Sequence, residues 1–186
     1  GSGGVLSHAP RREQSAKMLI DSFMPEGVTQ LAVDSIFMMP QLGVLAHVDK
    51  EEFKDESRKA ALEVFHKDCL IRLGTCINPV GRSKPGDIVL NAELTMPDGR
   101  ILEQELIKDK IVRIEVPYEP VKAILRPGKN MDIGAGPGQE IVTDIYGGTV
   151  GLIFDGRDRP ISIPSDPLKR LEALRSWSSA LNEYPE

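Results

Sequence analysis

The sequence contains two glycine clusters beside strand-like runs, and such clusters could bind a phosphate. They are Gly134, Gly136 and Gly138 in GAGPG, and the pair Gly147 and Gly148. Backbone amides without side chains can approach a phosphate closely, but a phosphate loop needs a following helix whose N-terminus faces the anion. The run after GAGPG, QEIVTDIY, instead alternates apolar and polar residues as a half-buried strand does. We therefore interpret both clusters as structural turns and bulges, at least some with positive φ, and keep phosphate binding as the alternative.

The other side chains that could do chemistry form no catalytic pattern. The histidines at positions 8, 47 and 66 lie far apart and lack the spacing of a metal motif such as HExxH. In FDGRDRP, Asp155 and Asp158 alternate with Arg157 and Arg159. A turn with paired opposite charges more often forms internal ion pairs than it binds an anion. We therefore predict neither catalytic nor metal-binding residues in this chain.

Composition narrows the class of protein. The chain has 186 residues, 40% of them hydrophobic, which fits one ordinary domain or two small ones. A net charge of −5 with 5% aromatic residues argues against nucleic acid as a partner. No apolar run approaches the roughly 20 residues of a membrane span. Cys69 and Cys76 lack partners at ligand spacing, so we expect buried, reduced thiols and a cytoplasmic protein.

The elements that hold these residues begin with a small α/β piece in residues 1–48. The sequence predicts a glycine turn at 1–4, a helix over 11–24 and a strand over 28–33. A second helix is predicted over 36–47, with Ser35 as its N-cap and Pro40 in its first turn. So short a piece cannot close a core alone, and must pack on another part of the protein or on a partner. Residues 49–68 are highly charged and predict a linker that becomes a connecting helix.

Residues 69–165 change to strand patterns. The alternating runs are GDIVLNAELTM, RILEQELIK, KIVRIEVP, VKAILRPG, QEIVTDIY and TVGLIFD. Pro97-Asp98-Gly99 is a turn signal, and Gly147-Gly148 is typical of a two-residue hairpin. About seven short strands with such turns indicate an antiparallel all-β barrel or sandwich. Residues 166–186 predict a terminal helix with Asp166 as N-cap and Pro167 at the first helical position.

A resemblance to a known family extends this interpretation. The ordered motifs GSGGVLSHAP, GVTQLAVDSIFMMPQLGVLA, LGTCINPVG, KPGDIVL, DIGAGPGQEI and GGTVGLIFDGRDRP resemble the MutL-type accessory proteins. These are encoded beside adenosylcobalamin-dependent glutamate mutase and are unrelated to the mismatch-repair protein of the same name. The resemblance covers essentially the whole chain and implies an actin-like ATPase, similar to sugar kinases and to the reactivating factors of cobalamin-dependent diol dehydratase.

The expected fold class is therefore α+β. Residues 1–48 would be the C-terminal piece of an actin-like α/β ATPase lobe, and residues 49–68 a linker. Residues 69–165 would be the antiparallel all-β barrel or sandwich domain, and residues 166–186 the terminal helix.

The resemblance also implies a site. In the actin-like fold a late glycine-rich turn contacts the adenosine of ATP, and Gly1, Ser2, Gly3 and Gly4 match that turn. Glycine lets the backbone lie against the purine and ribose, although a simple turn would need the same residues. The phosphate loops and magnesium-holding acidic residues of such ATPases do not occur in this sequence. We therefore expect an inactive C-terminal fragment, with ATP and Mg²⁺ belonging to the parent protein and no cofactor bound directly by the β-domain.

The implied function is that of a reactivating chaperone. ATP would drive the release of damaged cofactor from a cobalamin-dependent mutase subunit, with the β-domain docking onto that partner. One alternative is a fragment of a hydantoinase- or acetone-carboxylase-type enzyme with an actin-like fold. Another is a plain protein-interaction domain. Whether the parent protein is an enzyme stays open at this point.

Overall fold

The computed structural model describes residues 1–47 and 54–184. The helices are α1 (Gly4–Ser7), α2 (Arg12–Phe23), α3 (Met39–Ala46), α4 (Lys54–Val64) and α5 (Pro167–Leu181), with a π-helical turn at Phe65–Cys69. The strands are β1 (Gly27–Asp34), β2 (Leu70–Asn78), β3 (Val80–Gly81), β4 (Ile88–Thr95), β5 (Ile101–Ile107), β6 (Ile111–Ile114), β7 (Pro120–Pro127), β8 (Met131–Asp132), β9 (Ile141–Tyr146) and β10 (Gly151–Asp155).

The strands form two four-stranded sheets and a two-stranded ribbon. The mixed sheet has the order β1-β2-β10-β6, in which β10 runs parallel to β2 and the other neighbours are antiparallel. The antiparallel sheet has the order β5-β4-β7-β9. The ribbon joins β3 to β8.

The mixed sheet lies between two hydrophobic clusters. On one face, Ile77 and Phe154 belong to the same buried cluster as Leu94 and Leu125 of the antiparallel sheet. On the other face, Leu73 and Ile153 belong to a cluster with residues of α2 and α5, including Ile20 and Trp177. Side chains alternate across a strand, which explains how Ile153 and Phe154 reach opposite clusters. The molecule thus has a helical layer, the mixed sheet and the antiparallel sheet.

Residues 69–165 were expected to form an antiparallel all-β barrel or sandwich, and the closed barrel is wrong. The sheets are separate, the protein mixes helices with strands, and β10 pairs in parallel with β2. Gly147-Gly148 is not a hairpin turn either, because β9 belongs to the antiparallel sheet and β10 to the mixed sheet. The glycine pair therefore carries the chain from one sheet to the other. Alternation indicates a strand but does not identify its neighbours.

The structure also differs from the sequence prediction at the beginning of two helices. Gly4 is the first residue of the short helix α1, where a flexible turn was expected. The second helix begins at Met39, with Met38 rather than Ser35 as its N-cap, although Pro40 does lie in its first turn. The backbone amides of residues 36, 38 and 39 donate to the carboxylate of Asp34, which fixes the segment that leads into α3. The hydroxyl of Ser35 donates instead to the carbonyl of Cys69.

The mixed sheet crosses the expected boundary near residue 68. β1 pairs with β2 from Gly27↔Asn78 to Asp34↔Leu70, so residues before and after the charged segment share one sheet. The first residues of the predicted linker lie outside the described ranges, and its later residues form α4 and the π-helical turn. The terminal helix is confirmed, because Asp166 accepts hydrogen bonds from the amides of Leu168 and Lys169 and Pro167 follows it.

Candidate functional site

The turn Gly1–Gly4 lies at the carboxyl end of the edge strand β1. The N-terminal amine of Gly1 donates to the carbonyl of Ala32 (3.0 Å), and the amide of Asp34 donates to the carbonyl of Gly1 (2.9 Å). The two bonds join one residue, Gly1, to Ala32 and Asp34, which are two apart on the neighbouring strand. This is the hydrogen-bond pattern of a parallel strand pair. Gly3 then has φ +116°, and α1 begins at the next residue. The turn therefore connects a strand-like residue to a helix.

Asp34 ties this turn to the start of α3. Its buried carboxylate accepts hydrogen bonds from the Ser2 hydroxyl (3.1 Å) and from the amides of Met39 (3.0 Å) and Met38 (3.3 Å). Burial alone would raise the pKa of Asp34, but these hydrogen bonds outweigh it and hold the pKa below its ordinary value. The carbonyl of Asp34 also accepts from the hydroxyl of Ser7, at 2.5 Å.

Sequence reasoning missed Asp34. The available signal was an acidic residue at the last position of an apolar strand, followed directly by a serine.

The side of the turn that faces away from Asp34 is open. A Cβ added to Gly3 would meet no heavy atom within 4 Å, and one added to Gly4 would lie 3.6 Å from Cζ of Phe37. The rings of Phe37 and His8 lie 5.5 Å apart beside it. Magnesium does not fit, because Asp34 is occupied by internal hydrogen bonds and the described residues gather no His, Cys, Asp or Glu cluster that could hold a metal.

The glycines of GAGPG lie in a turn whose amides are bound internally. Asp132 Oδ1 accepts from the amides of Gly134 (2.7 Å) and Gly136 (2.9 Å), and the amide of Gly138 donates to the carbonyl of Met131. The Gly134 and Gly136 amides lower the pKa of Asp132. All of these glycines have positive φ, between +70° and +117°. A phosphate would have to displace Asp132 to reach the same amides.

Gly147 and Gly148 serve close backbone packing. Neither has positive φ, and the expectation that at least some glycines of the two clusters have positive φ is confirmed at Gly134 and Gly136 instead. An added Cβ would lie closer than 3.0 Å to the carbonyl oxygens of Val116 and Pro117 at Gly147, and to the backbone of Leu73 at Gly148. The crossing between the two sheets brings three backbone segments together here, and only a residue without a side chain fits.

The charged turn FDGRDRP forms internal ion pairs. Arg157 donates from Nε and Nη2 to the fully buried carboxylate of Asp155, and Arg159 donates to the same carboxylate, all at 2.9 Å. Arg157 also pairs with Asp21 of α2 (2.9 Å), and its guanidinium lies 5.0 Å from the Trp177 ring centroid. Burial would raise the pKa of Asp155, but the two guanidinium groups hold it below its ordinary value. The cluster joins β10 to α2 and α5.

Comparison with known proteins gives one match. Residues 1–67 match a protein-family model described as MutL protein, a range that includes the glycine turn, Asp34 and β1. The match covers 67 of the 186 residues. No curated protein and no solved structure matches the chain. Within the described ranges, every helix is too short or too polar to cross a bilayer.

Proposed function

We propose that this chain belongs to an ATP-dependent accessory protein that reactivates a cobalamin-dependent mutase. The observation that carries the proposal is the MutL family match over residues 1–67. The range contains a glycine turn, set between a strand-like residue and a helix, whose outer side is open. In an actin-like ATPase such a turn is placed to contact adenosine.

In this proposal Gly1, Ser2, Gly3 and Gly4 form the adenosine side of the nucleotide site. Ser2 and Gly1 are fixed by bonds to Asp34 and Ala32, so the turn is rigid before a nucleotide arrives. Pre-ordered backbone lowers the entropic cost of binding. The triphosphate and Mg²⁺ would be held by other parts of the parent protein, because the described residues offer no metal cluster.

The two sheets would act as the docking module for the mutase subunit. They share one buried core, and the outer face of the antiparallel sheet carries exposed residues on each of its four strands. A docking role needs no cofactor in this region.

The test is direct binding to the mutase. Purified cobalamin-dependent mutase, from the gene neighbourhood of this chain, is titrated with the chain in a calorimeter, with and without ATP. We expect saturable binding without ATP hydrolysis. No binding at tens of micromolar, or a genome neighbourhood without a mutase gene, would overturn the proposal. Hydantoin hydrolysis or acetone carboxylation by the parent protein would favour the enzyme alternative.

A further inference from the structure

The outer face of the antiparallel sheet exposes carboxylates around a few apolar side chains. We call it the acidic face. Its members are Glu93, Glu103, Glu105, Glu140 and Asp144, the apolar Ile101, Ile124 and Val142, and the cations Lys122 and Arg126. Carboxylates thus outnumber cations on a face whose opposite side forms the core between the sheets. Ile101 and Val142 are 67% and 58% exposed.

The register of the strands places like charges together. Glu93 of β4 lies directly opposite Glu103 of β5, and the same cross-strand row continues through Ile124 to Val142. The Nη1 atom of Arg126 lies 3.4 Å from Oε2 of Glu93. The Nε atom of the same arginine makes a shorter bond, 2.6 Å, to Oε2 of Glu140. Among the described residues, Glu103 and Glu105 form no ion pair.

Folding does not account for this arrangement. Like charges directly opposite each other on paired strands are destabilising, and exposed Val and Ile gain nothing from burial while they face water. The groove beside the glutamates is lined by Asn91, Glu93, Glu103, Glu105 and Arg126. An apolar row with carboxylates along one side is instead complementary to a surface that carries apolar side chains flanked by cations.

We propose that the acidic face is the docking surface of this chain, and that its partner is a protein surface with lysine or arginine side chains around an apolar centre. A second copy of this chain does not fit, because two acidic faces would repel each other. The inference rests on the proposed function for the docking role, and adds the surface and the chemistry of the partner.

The experiment compares two triple variants of the whole chain. The test variant E93Q/E103Q/E105Q removes charge from the acidic face. The control variant E26Q/E63Q/E119Q removes the same charge from exposed glutamates elsewhere. The probes are the purified cobalamin-dependent mutase and a synthetic amphipathic helix of leucine and lysine, with a leucine–glutamate helix as its negative control.

We expect the test variant to bind both the mutase and the leucine–lysine helix about tenfold more weakly, and the control variant to bind as the wild type does. Val142→Ser should also weaken binding, and added salt should reduce wild-type affinity towards that of the test variant. Equal binding of both probes to wild type and test variant would overturn the proposal. The proposal would also be overturned if the wild-type chain self-associated and the test variant did not.

The two proposals can fail separately. If the mutase does not bind the wild type, the proposed function fails. If the leucine–lysine helix then still binds and loses affinity only with the test variant, the assignment of the acidic face to a cationic protein partner stands.

Discussion

The carboxylate of Asp155 is fully buried and binds Arg157 and Arg159, so each of the three side chains compensates the charge of the others. Removing one member of a buried ion pair leaves an uncompensated charge inside the protein. We expect Asp155→Asn to lower the free energy of unfolding by about 3–5 kcal/mol, as measured by urea denaturation. Asp144→Asn, on an exposed residue of β9 that forms no ion pair among the described residues, is the control.

The same residue predicts a pH dependence. The pKa of Asp155 in the folded protein is below its ordinary value of 3.8, so its stabilising contribution is fully present above pH 3.8. The contribution is lost as the pH falls through the lower folded-state pKa. Melting temperatures of wild type and Asp155→Asn should therefore converge at acidic pH. A constant difference down to pH 2 would contradict the ion-pair explanation.

Gly147 must be a glycine because there is no room for a side chain, not because its φ angle excludes one. An alanine Cβ would lie closer than 3.0 Å to the carbonyl oxygens of Val116 and Pro117, both fixed in the backbone. We expect Gly147→Ala to lower the free energy of unfolding by about 1–3 kcal/mol, with or without ATP, cobalamin or phosphate. Gly43→Ala in α3 is the control, because a Cβ there meets no atom within 4 Å. A ligand-dependent melting shift that Gly147→Ala removes would instead favour a binding loop.

At the scale of elements, the β4–β5 pair carries the repulsion between Glu93 and Glu103. We expect Glu103→Gln to raise the free energy of unfolding by about 0.2–1 kcal/mol. Glu105→Gln provides a matched control, because Glu105 lies opposite the neutral Asn91. Urea denaturation at low salt measures both. A lower stability of Glu103→Gln would mean that the carboxylate has a favourable partner within the fold.

Most elements could be predicted from the sequence, but their neighbours could not. Alternation located β4, β5, β7 and β9, and Pro97-Asp98-Gly99 gave the β4–β5 turn, because these signals are local. The parallel pairing of β10 with β2 joins segments far apart in sequence. The start of α3 follows Asp34, whose carboxylate accepts hydrogen bonds from the amides of Met38 and Met39, an arrangement that the apolar pattern of the helix does not show. A partner distant in sequence decides the first case, and the hydrogen bonds of a nearby side chain decide the second.

The candidate site was located only in part for the same reason. The glycine turn Gly1–Gly4 was found through its family motif, while Asp34, which fixes the turn, went unnoticed. A strand-end carboxylate is common, and only the fold shows that Ser2 and Met39 converge on it. The acidic face was equally hidden, because its row of Glu93, Glu103 and Val142 comes from three strands that no sequence window contains together.

For the whole molecule, the shared sheet makes a prediction about cooperativity. β1 pairs with β2 along its length, and Val33 is buried in the same cluster as Leu73 and Ile153. We expect amides of β1 and β2 to have similar protection from hydrogen exchange, and Val33→Ala to lower protection in both. Markedly faster exchange in residues 1–47 than in residues 69–165 would restore the boundary near residue 68 as a limit between folding units.

The last prediction concerns ATP and the molecule as a whole. Mg-ATP is attracted mainly through its triphosphate and metal, which require cations, phosphate loops and metal-holding carboxylates. This chain has a net charge of −5, its described residues gather no cluster that could hold a metal, and the proposed adenosine contact is the turn Gly1–Gly4 alone. We therefore expect no calorimetric binding of Mg-ATP at micromolar concentrations and no phosphate release. Gly3→Ala and Gly4→Ala should behave as the wild type in this assay. A clear isotherm that either substitution abolishes would show that the turn and its surroundings hold a nucleotide without the rest of an ATPase site.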